Sequence, residues 1–203
     1  MSRTEAAVSE TALSTSREQA KADRRAVLLA SAARLFAERG FDRVSIEDLG
    51  AAAGISGPAV YRHFPSKQSV LAALLVGASE NLHDGGHRVV AAAADDSDAL
   101  RSLIRFHVDF ALGNPEVIRV QDRDLDSLTE TDRHEVRALQ RGYVELWVSV
   151  LTRLQPKADA AELRIRSHAT FGLINSTPHS ARPSRRTEVE PLLEKMAWAA
   201  LTS

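Results

Sequence analysis

The chain is 203 residues long, 44% hydrophobic and 26% charged, and its 26 Lys+Arg against 27 Asp+Glu leave a formal net charge of −1. Such a composition describes an ordinary globular protein with room for one large or two small domains, and any basic surface for a polyanion must be local. The absence of cysteine excludes disulfides, thiolate nucleophiles and Cys-ligated zinc or iron–sulfur centres. No uninterrupted apolar run approaches the roughly 20 residues needed to cross a bilayer, and no basic-then-apolar signal pattern opens the chain. A cytoplasmic protein without a membrane partner is therefore expected.

Residues 1–21 are rich in Ser, Thr, Ala and Glu with almost no large apolar side chain, so burial cannot offset chain entropy and a flexible arm is expected. Helix one follows over 23–39, where Leu28, Ala32, Leu35 and Phe36 recur at three- and four-residue steps and Gly40 gives a stop signal. Ser45 with Asp48 three positions on is a near capping box for a short second helix that carries Ile46, Leu49 and Ala53 and ends near Gly54. Ser56 can cap a third short helix reaching about His63, since Gly57 and Pro58 fall in the first turn, where a proline has no helical N–H bond to lose.

Phe64-Pro65 breaks the chain, and Ser66 caps a long helix four over 67–93 with Val70, Leu71, Leu74 and Leu75 on one side. Gly85-Gly86 interrupts its pattern, each glycine costing a helix roughly 1 kcal/mol against Ala, so a kink or break is expected there. Five further helices are predicted at about 99–112, 115–123, 132–154, 160–176 and 188–201, with Asn114 and Asp159 as candidate caps and a Pro-Ser-Arg-Arg linker from Pro183. No stretch alternates as a half-buried strand does, so the predicted fold is all-α with eight or nine helices. Its parts are the arm (1–21), a three-helix headpiece (22–66) and a C-terminal helical domain (67–203).

Helices two and three, joined by Gly54-Ile55-Ser56 and held together by Ile46, Leu49, Ile55 and Val60, form a helix-turn-helix, a unit that presents its second helix to the DNA major groove. Within seven residues Tyr61, Arg62, His63 and Lys67 offer four kinds of donor for phosphate oxygens, while Phe64 reads as core. Ser45 and Ser56 stand at helix starts, where free N–H groups and the positive dipole end attract anions. Residues 17–67 hold nine Lys/Arg against six Asp/Glu, a local +3 in a chain that is otherwise negative. Arg24 and Arg25 can reach the minor groove or phosphates as the arm orders, or can simply be a solvated helix start.

Residues 28–71, above all AARLFAERGFDRVSIEDLGAAAGISGPAVYRHFPSK, resemble the N-terminal domain of TetR-family transcriptional regulators. The resemblance implies an all-helical homodimer whose first three helices bind DNA and whose remaining helices enclose an effector pocket. By position it implies that Ser45 and Lys67 hold phosphates, that Tyr61 and His63 grip the backbone, and that Gly57, Pro58, Ala59 and Arg62 face the groove. The sequence departs from the usual pattern at Gly57-Pro58, where a polar residue followed by Gly is common, and at Gly50, where Ala is common.

The C-terminal half carries no comparable motif. A ligand site there would draw on Phe106, His107, Phe110, Gln121, Tyr143, Trp147, Phe171 and Asn175, although aromatics at helical spacing are also what an ordinary core needs. Arg119, Arg123 and Arg166 would suit an acidic effector such as an acyl-CoA thioester, or form surface ion pairs. His83 and His87 have the four-residue spacing of a helical metal pair, but Gly85-Gly86 lies between them and no metal is assigned. No nucleophile–base–carboxylate set and no phosphate loop is present, so neither catalysis nor a cofactor is expected. Apolar residues on helices eight and nine suit a four-helix dimer interface.

The expected function is a ligand-responsive homodimeric repressor released from a palindromic operator in double-stranded DNA by a small-molecule effector. The alternatives are a constitutive regulator without effector, and a small-molecule-binding protein or enzyme with a vestigial helix-turn-helix.

Overall fold

A computed structural model describes residues 3–177 and 185–203, with side chains from residue 18 onward. The described residues are all-α: α1 (Arg3–Arg39), α2 (Ile46–Ala52), α3 (Gly57–Val60), α4 (Lys67–Ala91), α5 (Asp96–Gly113), α6 (Pro115–Asp124), a 3₁₀ turn (Leu125–Ser127), α7 (Glu130–Leu154), α8 (Ala160–Asn175) and α9 (Arg186–Thr202). Pro183 and Ser184 of the expected linker lie outside the described residues. The chain divides at Leu71/Ala72, inside α4, into two compact units.

Sequence chemistry accounts for most boundaries. Gly40 adopts φ 88° and its N–H bonds the Phe36 carbonyl at 2.8 Å, closing α1 with a left-handed residue that costs glycine nothing. Ser45 forms the expected capping box: its Oγ accepts from the Asp48 N–H (3.0 Å) and the Asp48 carboxylate accepts from the Ser45 N–H (2.9 Å). Ser66 and Ser69 bond each other's backbone N–H reciprocally at 3.1 Å ahead of α4. Asp95 caps α5 and Thr129 caps α7 through the N–H groups of Asp98 and Asp132.

Three expectations need correction. The first helix begins at Arg3, so the arm expected over 1–21 is drawn as helix over its described part. That stretch contains no Gly or Pro and carries Ala and Glu among its Ser and Thr, so nothing stops the helix propagating toward the N-terminus. Where side chains of that stretch are described, from residue 18 to 21, all are exposed. Secondly, α4 runs unbroken through Gly85-Gly86. Both glycines are buried, and a methyl on Gly85 would overlap the Phe106 ring while one on Gly86 would lie 2.5 Å from Cε2 of Tyr143. They let α5 and α7 approach α4 closely. Thirdly, neither Asn114 nor Asp159 caps with its side chain. The Asn114 amide instead donates back to the Phe110 carbonyl at 2.9 Å, closing α5.

In the first unit, Leu28, Ala32, Phe36, Phe41, Val44, Leu49, Val60, Phe64 and Leu71 form the core. In the second, α5 packs on α7 and α9, and α8 on α7 and α9, around Leu100, Leu103, Trp147, Leu151, Leu163, Ile174 and Leu201. No helix among the described residues is long and apolar enough to cross a membrane.

Candidate DNA-binding headpiece and C-terminal cavity

The turn between α2 and α3 is set by two glycines. Gly54 takes φ 71°, and a Cβ on Gly50 would lie 2.8 Å from the Ile55 carbonyl oxygen and 3.0 Å from the Gly57 nitrogen. The departure at Gly50 thus has a structural reason: the turn main chain lies against α2 where a side chain would stand. Gly57 faces the Glu47 side chain, whose Oε1 is 3.4 Å from where a Cβ would be.

On this frame Tyr61 stands 55% exposed, and Arg62, Pro58 and Ser56 are also exposed. Gly57, Ala59 and His63 are half-buried. Ser56 occupies the N-cap position of α3 but makes no side-chain cap bond, contrary to expectation. The Ser45 hydroxyl is exposed, yet it already donates to the Asp48 carboxylate at 2.7 Å as well as accepting from its N–H. Those hydrogen bonds from Ser45 hold the Asp48 carboxyl below its ordinary value, with a smaller contribution from Arg39.

Lys67 has a structural contact that the sequence reading did not include. Its Nζ donates to the carbonyls of Phe41 (2.8 Å) and Asp42 (3.4 Å) and sits 4.3 Å from the centroid of the Phe41 ring. An ammonium has three donors, so the group clamps the α1–α2 loop and keeps one hydrogen for anything else. Arg24 is exposed on α1. Its neighbour Arg25 is the one that engages the unit: Nη1 donates to the His63 carbonyl at 3.3 Å and the guanidinium lies 4.2 Å above the Phe64 ring. Arg25 thereby fixes the end of the α3 turn.

The second unit holds a cavity of about 200 Å³. Five of the eight residues expected at a ligand site line it: His107, Gln121, Tyr143, Phe171 and Asn175. The other three do not. Phe106 covers Gly85, and Phe110 lies behind His107 with ring centroids 6.4 Å apart. Trp147 is fully buried and meets Phe171 edge-on at 5.0 Å, because one turn along α7 from Tyr143 the helix has rotated it into the core. Ser79, Leu82, Gln140, Val144 and His168 complete the lining and were missed. Two of them carry a readable signal, since Gln140 and His168 each precede a lining aromatic by three residues on the same helical face.

Arg119, Arg123 and Arg166 do not line the cavity. Arg123 pairs with Asp124 at 3.0 Å, and Arg166 pairs with Glu162 at 2.6 Å and bonds the Ser203 carbonyl. His107 Nε2 lies 3.2 Å from the Asn175 Oδ1, and burial holds its pKa down at about 4, so the ring is neutral. Burial likewise pushes the Tyr143 phenol above its ordinary value, partly offset by the Trp147 indole beside it. The His83 Nδ1 lies 2.8 Å from the Asp84 carboxylate and its ring is 4.8 Å from that of His87.

An all-helical chain opening on a capped helix-turn-helix, followed by a helical unit with a half-open cavity, has the architecture of a helix-turn-helix regulator. The chain belongs to the TetR family of bacterial regulatory proteins: that family's description matches residues 28–74, and a tetracyclin repressor-like C-terminal domain matches residues 93–200. It is 30% identical over 132 residues to the HTH-type transcriptional repressor KstR2 of Rhodococcus jostii (strain RHA1), a match covering 64% of this chain and 65% of that one, so less than two thirds of this relative is spanned. The TetR family regulator PfmR from Thermus thermophilus superposes with TM-score 0.74 at 25% identity, over 87% of this chain and 94% of that one. AibR, solved in complex with isovaleryl coenzyme A and operator DNA, shares the fold at TM-score 0.71 and 18% identity, over 85% of this chain and 97% of that one.

Proposed function

We propose that the chain is a DNA-binding transcriptional regulator acting as a homodimeric repressor, released from a palindromic operator when a small molecule occupies the cavity among α4–α8. The observation that carries the DNA part is the helix-turn-helix itself. Its backbone is fixed by the Ser45–Asp48 capping box, the Lys67 clamp and the Arg25 contact, and it leaves Tyr61 and Arg62 side by side in solvent. A phenol and a guanidinium on a rigid support suit phosphate and base-edge contacts respectively. With Gly57-Pro58 at the start of α3, Arg62 is left as the main candidate for base readout.

Self-association is supported by Ile165 on α8 and by Leu192 and Met196 on α9, which stand 69%, 56% and 44% exposed. Large apolar side chains left in water on two helices favour covering by a second copy. Two headpieces held roughly 34–36 Å apart then meet successive major-groove faces of one duplex. Release follows if the effector binds the released conformation more tightly, and a tenfold loss of DNA affinity requires about 1.4 kcal/mol of such preference.

The test is selection of bound duplexes from a random pool, followed by titration of the winner with wild-type, Tyr61→Ala and Arg62→Ala protein. A two-fold-symmetric site, weakened by both substitutions, is the expected result. Equal binding of the winner and an arbitrary competitor at moderate ionic strength would refute the proposal.

A further inference from the structure

Resting on the effector reading above, we propose that the ligand is a small, uncharged molecule about the size of one aromatic ring, bearing one or two hydrogen-bonding groups such as a phenol, carboxamide or aldehyde. A carboxylate, a phosphate ester or a coenzyme A thioester is excluded from this site by the same features.

Size is the first constraint. A cavity of about 200 Å³ is somewhat larger than the roughly 150 Å³ that accepts benzene, and smaller than the roughly 300–1,000 Å³ of sites for drug-sized ligands. A single substituted ring fills it, whereas a nucleotide with a pantetheine arm would have to project from its open mouth.

Charge is the second. Among the described residues, no Lys, Arg, Asp or Glu lines the cavity. Two cations of the flanking α8 are paired elsewhere, Arg164 with Glu145 and Arg166 with Glu162. Of the two imidazoles in the lining, burial keeps His107 neutral at ordinary pH, and His168 is exposed to solvent. A carboxylate or phosphate entering here would lose its hydration with no permanent counter-charge to replace it.

Shape and polarity are the third. The Tyr143 and Phe171 rings lie 15° from parallel with centroids 5.7 Å apart, and His107 stacks on Tyr143 at the same separation, so the wall presents flat faces. Around them Gln121, Gln140 and Asn175 supply neutral amides, which can donate to a carbonyl or accept from a hydroxyl.

The experiment uses full-length protein and matched probes: benzamide against benzoate, phenol against phenyl phosphate, and isovaleryl coenzyme A as the large anion. Binding is read by saturation-transfer NMR and by thermal shift in wild type, Val144→Trp and Gln121→Leu. The expected result is that benzamide and phenol bind at least tenfold more tightly than their charged twins and isovaleryl coenzyme A. Val144→Trp should abolish that binding by filling the cavity. Gln121→Leu, at a half-exposed position, should weaken benzamide while leaving the ligand-free melting temperature unchanged, which keeps the test valid if the Trp variant fails to fold. A charged probe that binds as tightly as its neutral twin and is lost in Val144→Trp overturns the ligand class and leaves the effector reading standing. No binding by any probe overturns the effector reading and this inference with it.

Discussion

Gly85 and Gly86 separate two physical accounts of a glycine inside a helix. If they were only weak helix formers, Gly→Ala at either would stabilise the protein by roughly 1 kcal/mol. The structure opposes that gain with an overpacking cost of about 1–3 kcal/mol, depending on whether the neighbour can move. At Gly86 the new methyl would stand 2.5 Å from Cε2 of Tyr143 and 3.1 Å from Cδ2 of Leu146. Both neighbours are buried, at 4% and 8% exposure, and the Tyr143 ring can retreat into the cavity only by giving up its stacking on His107 and Phe171. The upper part of the cost applies, and Gly86→Ala should lose about 1–2 kcal/mol net. At Gly85 the overlap with the Phe106 ring is deeper, but Phe106 is half-buried and can swing outward. Gain and cost there nearly cancel, leaving Gly85→Ala within about 0.5 kcal/mol of wild type. Urea titration followed by far-ultraviolet circular dichroism measures both. A Gly86→Ala protein as stable as wild type, or more so, would refute the claim that these glycines exist for close packing.

Four other predictions concern the two sites and the exposed face. Because the folded pKa of His107 is about 4 against an ordinary 6.5, the unfolded chain takes up that proton first on acidification. Stability is therefore fully present above pH 6.5 and falls by about 1.4 kcal/mol per pH unit as pH drops toward 4; His107→Gln should flatten that limb relative to wild type in unfolding titrations. Tyr61→Ala should weaken binding to every duplex and leave unfolding free energy within about 0.5 kcal/mol. Lys67→Ala should lower stability by releasing the α1–α2 loop, and a reduction of the salt slope of DNA binding by about one unit would show that its remaining hydrogen also meets a phosphate. Ile165→Glu combined with Met196→Glu should convert the proposed dimer to monomer in sedimentation velocity; an unchanged sedimentation coefficient would refute an interface on this face.

What could be read in the sequence was mostly local. Ser45 and Asp48 announce α2 because a capping box is a contact between residues three apart, and Val70, Leu71, Leu74 and Leu75 prove buried because amphipathic period is a property of the helix alone. Tertiary contacts were hidden. Gly85-Gly86 read as a break because propensity sees the missing side chain and not the Phe106 and Tyr143 rings that occupy its place. The clamp that Lys67 makes on the α1–α2 loop went unread because its carbonyl partner Phe41 is 26 residues away. His107, Tyr143 and Phe171 were found at the cavity by aromatic spacing, yet the same spacing also brought in Trp147, which lies one helical turn from the wall.

The headpiece is braced by cations held on main-chain carbonyls and ring faces: Lys67 on Phe41, and Arg25 on His63 and Phe64. Mobile electrolyte weakens exposed pairs of opposite full charges far more than a cation seated against a dipole or a quadrupole. Raising the salt should therefore strip nucleic acid from this surface while leaving its shape intact, so that association can be tuned by ionic conditions without the reader itself melting.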